Sequence, residues 1–174
     1  MHARLLFATL SLGLSAPHFG HAQFVARRHE LALIGAWQLD PGRTHYGAGV
    51  DRRRREHMRC DVREERLDCT VKSVRADGRR LTAHFSAPLT GATAAVTGLA
   101  DIDTIRLQAG PHGIVDATFS YRGRPAFGYR AYRGDDNATL VVVAVDPRTR
   151  AALTSAVVYS RVGMPTRTMS PNER

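Results

Sequence analysis

From residue 35 onward the sequence is a succession of short apolar or alternating segments separated by turn residues, with almost no helical periodicity. Within residues 81–89 and again within 115–121, every second side chain is apolar. A period of two places successive side chains on opposite faces of a strand, which is typical of a half-buried sheet. Turn signals such as Asp77-Gly78 separate the segments. We therefore predict an all-β domain of eight or nine short antiparallel strands.

No segment between these strands has the pattern of a crossover helix, so the sequence predicts an up-and-down meander. A meander must protect its two edge strands, and closure into a barrel does so completely. We expect a lipocalin-like barrel of about eight strands, with a two-sheet sandwich as the alternative. Residues 90–101 are rich in Gly, Ala and Thr and are assigned to no strand. The predicted strands cover residues 36–39, 53–61, 66–75, 81–89, 104–109, 115–121, 126–133, 139–145 and 153–162.

The two cysteines, Cys60 and Cys69, lie in two predicted strands on either side of a turn at Glu64-Glu65. A hairpin centred on that turn places the two cysteines directly opposite each other. Opposed residues of antiparallel strands have Cβ atoms about 4.5–5.5 Å apart, from which small adjustments reach disulfide geometry. We predict a Cys60–Cys69 disulfide, which also fixes the register of the hairpin.

The first 22 residues have the layout of a secretory signal peptide. Arg4 precedes a twelve-residue apolar run from Leu5, and the small residues Gly20 and Ala22 then mark a cleavage site. We predict cleavage after Ala22, with Ala16 as the alternative, and export to the periplasm or the extracellular space of a bacterium. The apolar run is shorter than the roughly 20 residues that a membrane span needs, and an uncleaved amphipathic start is the other interpretation.

Cleavage at that point leaves one domain with a strongly basic balance. The remaining chain carries 24 basic and 16 acidic residues, and Lys72 is its only lysine. Its length suits a single hydrophobic core. We predict a lead-in at residues 23–34, a barrel domain at 35–162 and a disordered tail at 163–174. No further apolar run is long enough to span a membrane.

Motifs at the two ends of the domain resemble those of lipocalins. Gly35-Ala36-Trp37 is a G-x-W at the head of the first strand, and Tyr159-Ser160-Arg161 ends the last. More closely, the domain resembles a group of uncharacterised exported bacterial lipocalin-like domains, with a G-x-W-x-L-x-P start, a mid-chain Asp-Gly turn and a V-Y-x-R end. The resemblance implies an exported barrel that Trp37 and Arg161 close by a cation–π contact. It implies no reaction, and the cysteine pair and the run of four arginines depart from the group's pattern.

The run Arg52-Arg53-Arg54-Arg55 is the most concentrated charge in the sequence. Alternate side chains of a strand point to opposite faces, so the four arginines cannot all point inward, and we expect them at a strand start or rim. They are candidates for contact with an anion, because the guanidinium fork matches phosphate. The simpler interpretation is a solvated edge that discourages aggregation.

Aromatic residues on several predicted strands are candidates to line a ligand cavity in the barrel; they are Phe85, Phe119, Tyr121, Phe127 and Tyr129. An eight-stranded barrel is just wide enough to hold one small molecule or to be filled by its own side chains. Plain core is therefore the competing interpretation for these five residues.

Catalytic and metal-binding motifs are missing from the sequence. The histidines show no metal-ligand spacing, and the serines have no G-x-S-x-G context. We expect no enzymatic activity, no metal, no cofactor and no nucleic-acid partner. Two hypotheses remain: the barrel binds a small apolar or amphipathic ligand, or its basic surface contacts an anionic envelope surface or an acidic partner.

Overall fold

The structure, a computed structural model, describes residues 31–47 and 52–163. This part of the chain folds into ten antiparallel strands in one closed barrel. Each strand pairs with the next in sequence, and the last pairs with the first. This topology confirms the predicted all-β meander closed into a barrel, and the alternative of a two-sheet sandwich is wrong. The strands are β1 (Gly35–Leu39), β2 (Arg53–Arg63), β3 (Arg66–Arg75), β4 (Arg80–Pro88), β5 (Thr90–Thr97), β6 (Thr104–Ala109), β7 (Val115–Tyr121), β8 (Arg124–Arg133), β9 (Thr139–Val145) and β10 (Ala152–Arg161).

The prediction of eight or nine strands was too low, because β5 was not recognised. Its sequence, TGATAAVT, contains Gly, Ala and Thr where a typical strand has larger apolar residues. Only Ala94 and Val96 of this strand are buried. A single residue, Leu89, separates β4 from β5, so no turn signal marks the boundary.

The β2–β3 hairpin has the predicted register. Cys60 pairs with Cys69 and Val62 pairs with Leu67. The cysteine sulfurs are 2.03 Å apart, which places the pair at disulfide distance. Glu64 and Glu65 both have positive φ, 47° and 62°, as a two-residue type I′ turn requires.

Trp37 plugs one end of the barrel together with the segment that precedes β1. Its side chain is buried, and its indole N–H donates to the carbonyl oxygen of Leu33 at 2.9 Å. The guanidinium of Arg161, its register partner on β10, lies 5.5 Å from the ring centroid. Arg133 contributes a second guanidinium at 5.8 Å and donates to the carbonyl oxygens of Leu31 and Ile34. We call this the plugged end and the opposite one the far end.

Several predictions about the chain ends lie outside the described residues. These are the signal peptide, most of the lead-in at 23–34, and the tail beyond residue 163. The described part of the lead-in, residues 31–34, forms a turn against the plugged end, where the backbone N–H of Ala32 donates to Gly113. Within residues 31–47 and 52–163, no helix is long and apolar enough to cross a membrane.

Gly98 and Gly91 provide a matched test of the packing beside β5. Both have positive φ, but a Cβ on Gly98 would lie 1.8 Å from the carbonyl oxygen of Thr82, whereas a Cβ on Gly91 would meet nothing within 4 Å. We expect Gly98→Ala to lower the free energy of unfolding by about 3 kcal/mol or more, and Gly91→Ala by only about 1–2 kcal/mol. Urea denaturation measures both values, and equal losses would contradict this packing.

Candidate ligand site in the barrel interior

A buried carboxylate lies in the wall of a barrel whose buried side chains are mostly apolar. Glu56 is only 3% exposed. Its Oε1 accepts hydrogen bonds from the Arg53 guanidinium at 2.6 Å and from the Tyr159 hydroxyl at 2.5 Å. The same guanidinium nitrogen also lies 3.4 Å from the Tyr159 hydroxyl oxygen. We call Arg53, Glu56 and Tyr159 the interior polar cluster.

A β-bulge at the start of β2 brings the cluster together. The register with β3 shifts between Arg53, which pairs with Arg75, and Arg55, which pairs with Val74. Three positions along a regular strand would place Arg53 and Glu56 on opposite faces, but the extra residue of a bulge restores them to the same face. Arg53 therefore points inward beside Glu56, while Arg54 remains exposed.

The cluster spans the barrel seam, where the first and last strands meet. Tyr159 pairs with Leu39 of β1, and Glu56 pairs with Ser73 of β3. Ser73 is itself buried. Tyr46, just after β1, lies close enough that its charge state affects the pKa of both Arg53 and Tyr159.

Electrostatics favours a neutral tyrosine and a charged arginine in this cluster. Burial and then the negative charge of Glu56 raise the pKa of Tyr159 well above its usual range. Burial alone would lower the pKa of Arg53, but Glu56 and then Tyr159 outweigh it, and the net shift is upward. The Tyr159 hydroxyl thus stays protonated and keeps donating to the carboxylate.

Aromatic side chains gather around Phe119. Phe127 stacks on it with ring centroids 4.6 Å apart, Tyr129 lies at 5.5 Å, and Phe85 meets it edge-on at 6.3 Å. We call these four residues the aromatic wall. Phe127 is 43% exposed, so the wall reaches solvent at the far end.

Tyr129 links the aromatic wall to the polar cluster. Burial and then the charge of Glu56 raise the pKa of its hydroxyl, and Arg53 opposes the shift. Tyr159, Phe85 and Phe119 belong to one contiguous buried core, and Tyr129 packs against it, so the wall and the cluster border the same interior.

The structure separates Tyr121 from the other four aromatic candidates. It shares the alternation of Phe119, but the β7–β8 register shifts after Phe119, and Tyr121 is 37% exposed at the strand end. There it packs against the guanidinium of Arg122, 5.1 Å from its centroid. Tyr121 is therefore no part of the wall.

The run of four arginines lies at the start of β2, the position expected because alternate side chains of a strand point to opposite faces. Arg52, Arg54 and Arg55 are exposed at the far end. From the sequence, no interior role was predicted for Arg53 or Glu56, and Tyr159 was recognised only as part of the motif that ends the last strand. The sequence contained one indication that Glu56 points inward. Glu56 lies two and four positions before Met58 and Cys60, which are both buried, so the period of a strand places it on their inward face.

The interior polar cluster offers groups for hydrogen bonding. No group of three or more His, Cys, Asp or Glu residues within the described ranges could hold a metal ion. The polar cluster presents a carboxylate, a guanidinium and a hydroxyl beside an apolar surface. Such an arrangement can fix the polar end of a molecule whose remainder is apolar.

The shifted tyrosines predict a loss of stability in alkali. Their pKa values are raised in the folded state above the value near 10 of unfolded chains. Their stabilising contribution is therefore complete below about pH 10, and it falls by about 1.4 kcal/mol per pH unit for each residue as the pH rises toward the folded value. Tyr159→Phe should make the decline shallower, whereas the half-exposed control Tyr132→Phe should not. Urea denaturation at several pH values measures this, and parallel curves would contradict it.

Comparisons of the chain with protein-family models, with curated proteins and with solved structures found no match. The likeness to lipocalins therefore stays a prediction that rests on the motifs at the two ends of the domain. The barrel interior is the feature from which a function can be argued.

Proposed function

We propose that this protein is an exported barrel that binds one small amphipathic ligand in its interior. The observation that carries the proposal is a buried polar cluster that lies in the same core as the aromatic wall. The apolar part of the ligand would lie along Phe119 and its neighbours. Its polar end would carry a hydrogen-bond donor, such as a hydroxyl or an amine, directed at the carboxylate of Glu56.

The energetics of burial favour a role for the cluster beyond holding the fold together. Taking an ion pair out of water costs several kcal/mol per ion, and apolar residues of similar volume often stabilise a protein at least as well. Glu56 and Arg53 stand where Leu or Val would complete the core. A ligand that needs a polar contact accounts for a carboxylate at this depth.

The width of the barrel supports an interior ligand. Barrel diameter grows with strand number, and eight strands already enclose enough space for one small molecule. Ten strands enclose more. Several inward-facing residues are also short, and five buried alanines lie on the strands: Ala83, Ala87, Ala94, Ala117 and Ala131.

Export is the expected setting for this binding. The signal-peptide layout of residues 1–22 supports it. A disulfide between Cys60 and Cys69 also suits an oxidising compartment such as the periplasm. We propose binding rather than catalysis.

Native mass spectrometry of protein purified from its own host tests the proposal. We expect the chain to carry one additional small molecule, which denaturation releases. A bare chain mass in every preparation, together with an interior filled by side chains, would contradict the proposal.

Glu56→Gln tests the role of the carboxylate in binding that molecule. The amide keeps the shape of the side chain but removes the charge-assisted hydrogen bond, worth about 1.5–3 kcal/mol, so affinity should fall about tenfold to a hundredfold. Glu65→Gln, in the exposed turn between β2 and β3, is the matched control and should bind like the wild type. Circular dichroism confirms that both variants fold. Equal affinity of the two variants would exclude Glu56 as the polar anchor.

A further inference from the structure

Basic residues from three strands form an exposed corner at the far end of the barrel. Arg55 pairs with Val74, and Val74 pairs with Arg80, so the two arginines lie on β2 and β4 on either side of β3. Two strand spacings separate them by roughly 10 Å. We call this the basic corner; its other exposed members are Arg52, Arg54, Lys72 and Arg79.

Little negative charge opposes the basic corner. Within the described ranges, none of its six members forms an ion pair, and the one acidic residue of the β3–β4 turn is Asp77. The Asp77 carboxylate accepts a hydrogen bond from the backbone N–H of Arg79. An array of unpaired guanidinium groups is a ready receptor for phosphate oxygens, because each fork matches two of them.

A second exposed element at the same end combines aromatic and basic side chains. The β7–β8 turn presents Tyr121, with Arg122 over its ring, and Arg124 follows. Phe127 is 43% exposed beside it, and Leu153 at the start of β10 is 53% exposed. Apolar and aromatic groups next to arginines are typical of segments that lie in the interface of a bilayer.

The opposite end of the barrel has acidic connections. The β2–β3 turn contains Glu64 and Glu65, and the β8–β9 connection contains Asp135 and Asp136, all of them exposed. The described connections at the plugged end contain no arginine. Those at the far end also carry acidic residues, but their arginines outnumber them; the acidic residues are Asp40, Asp77, Asp101, Asp103 and Asp146, and the arginines are Arg43, Arg52, Arg79, Arg122, Arg148 and Arg150. This difference in net charge gives the molecule a field that turns the far end toward an anionic surface.

We propose that the far end is a docking surface for an anionic lipid bilayer. The basic corner would bind phosphate headgroups, and the aromatic turn with Leu153 would enter the interfacial layer. A bilayer is favoured over a polysaccharide because it uses both the charges and the exposed apolar groups, whereas a soluble polyanion uses only the charges. The proposal does not require that the interior hold a ligand.

Vesicle sedimentation with protein purified from its own host tests this docking. Vesicles of phosphatidylcholine with phosphatidylglycerol should bind the protein, and vesicles of phosphatidylcholine alone should not. Binding should weaken steeply as salt is raised. Equal binding to the two compositions would overturn the proposal.

Paired variants locate the surface. The double variant Arg55→Ser/Arg80→Ser should bind roughly thirtyfold more weakly, since each arginine near an anionic bilayer contributes about fivefold. The double variant Arg59→Ser/Arg63→Ser removes the same charge from β2 toward the plugged end and should lose much less. If both double variants lost the same affinity for the vesicles, the effect would depend on net charge alone, and the docking surface could not be assigned to the far end.

A third double variant, Tyr121→Ser/Leu153→Ser, separates a bilayer from other polyanions. It should bind the anionic vesicles at least several-fold more weakly while binding heparin like the wild type. Unchanged vesicle binding would overturn the bilayer proposal and point to a soluble polyanion instead. Thermal unfolding confirms that each variant is folded, and ligand release by native mass spectrometry reports separately on the interior site.

Discussion

The pairing of β1 with β10 is the contact on which the rest of the structure depends. A ten-stranded meander without it would expose two edges, which invite aggregation. Trp37 secures this seam, because its ring is buried and the guanidinium of Arg161 from β10 lies over it. The seam also creates the candidate site. Tyr159 and Glu56 are 103 residues apart in sequence, and they meet because β1 is the one strand between β10 and β2.

The two ends of the barrel are built differently, and the difference suits a container. At the plugged end, tryptophan, leucine and two guanidinium groups fill the opening, and the connections are acidic. Toward the far end, the interior changes from aliphatic side chains to the aromatic wall and the polar cluster, and the rim is basic and partly aromatic. A molecule entering from an anionic surface would pass the basic rim before it reached the polar cluster and the aromatic wall.

The sequence predicted most of the fold because its signals were local. Apolar or alternating segments between turn signals located nine of the ten strands, and the symmetric spacing of Cys60 and Cys69 about a turn predicted the hairpin register that the structure has. It missed β5, whose small residues give weak alternation. It also missed the polar cluster, because a bulge at Arg53 cannot be recognised inside a run of four arginines, and because contacts between β2 and β10 depend on how the barrel closes. Four of the five aromatic candidates meet, whereas Tyr121 lies beyond the register shift that ends its alternation.

A crystal structure of the protein purified from its own host would test whether the interior polar cluster and the aromatic wall together hold one amphipathic molecule. We predict continuous density for a small molecule that runs along Phe119 and ends within hydrogen-bonding distance of the Glu56 carboxylate. An interior that contains only protein side chains and isolated waters, with Glu56 bonded to Arg53 and Tyr159 alone, would contradict it.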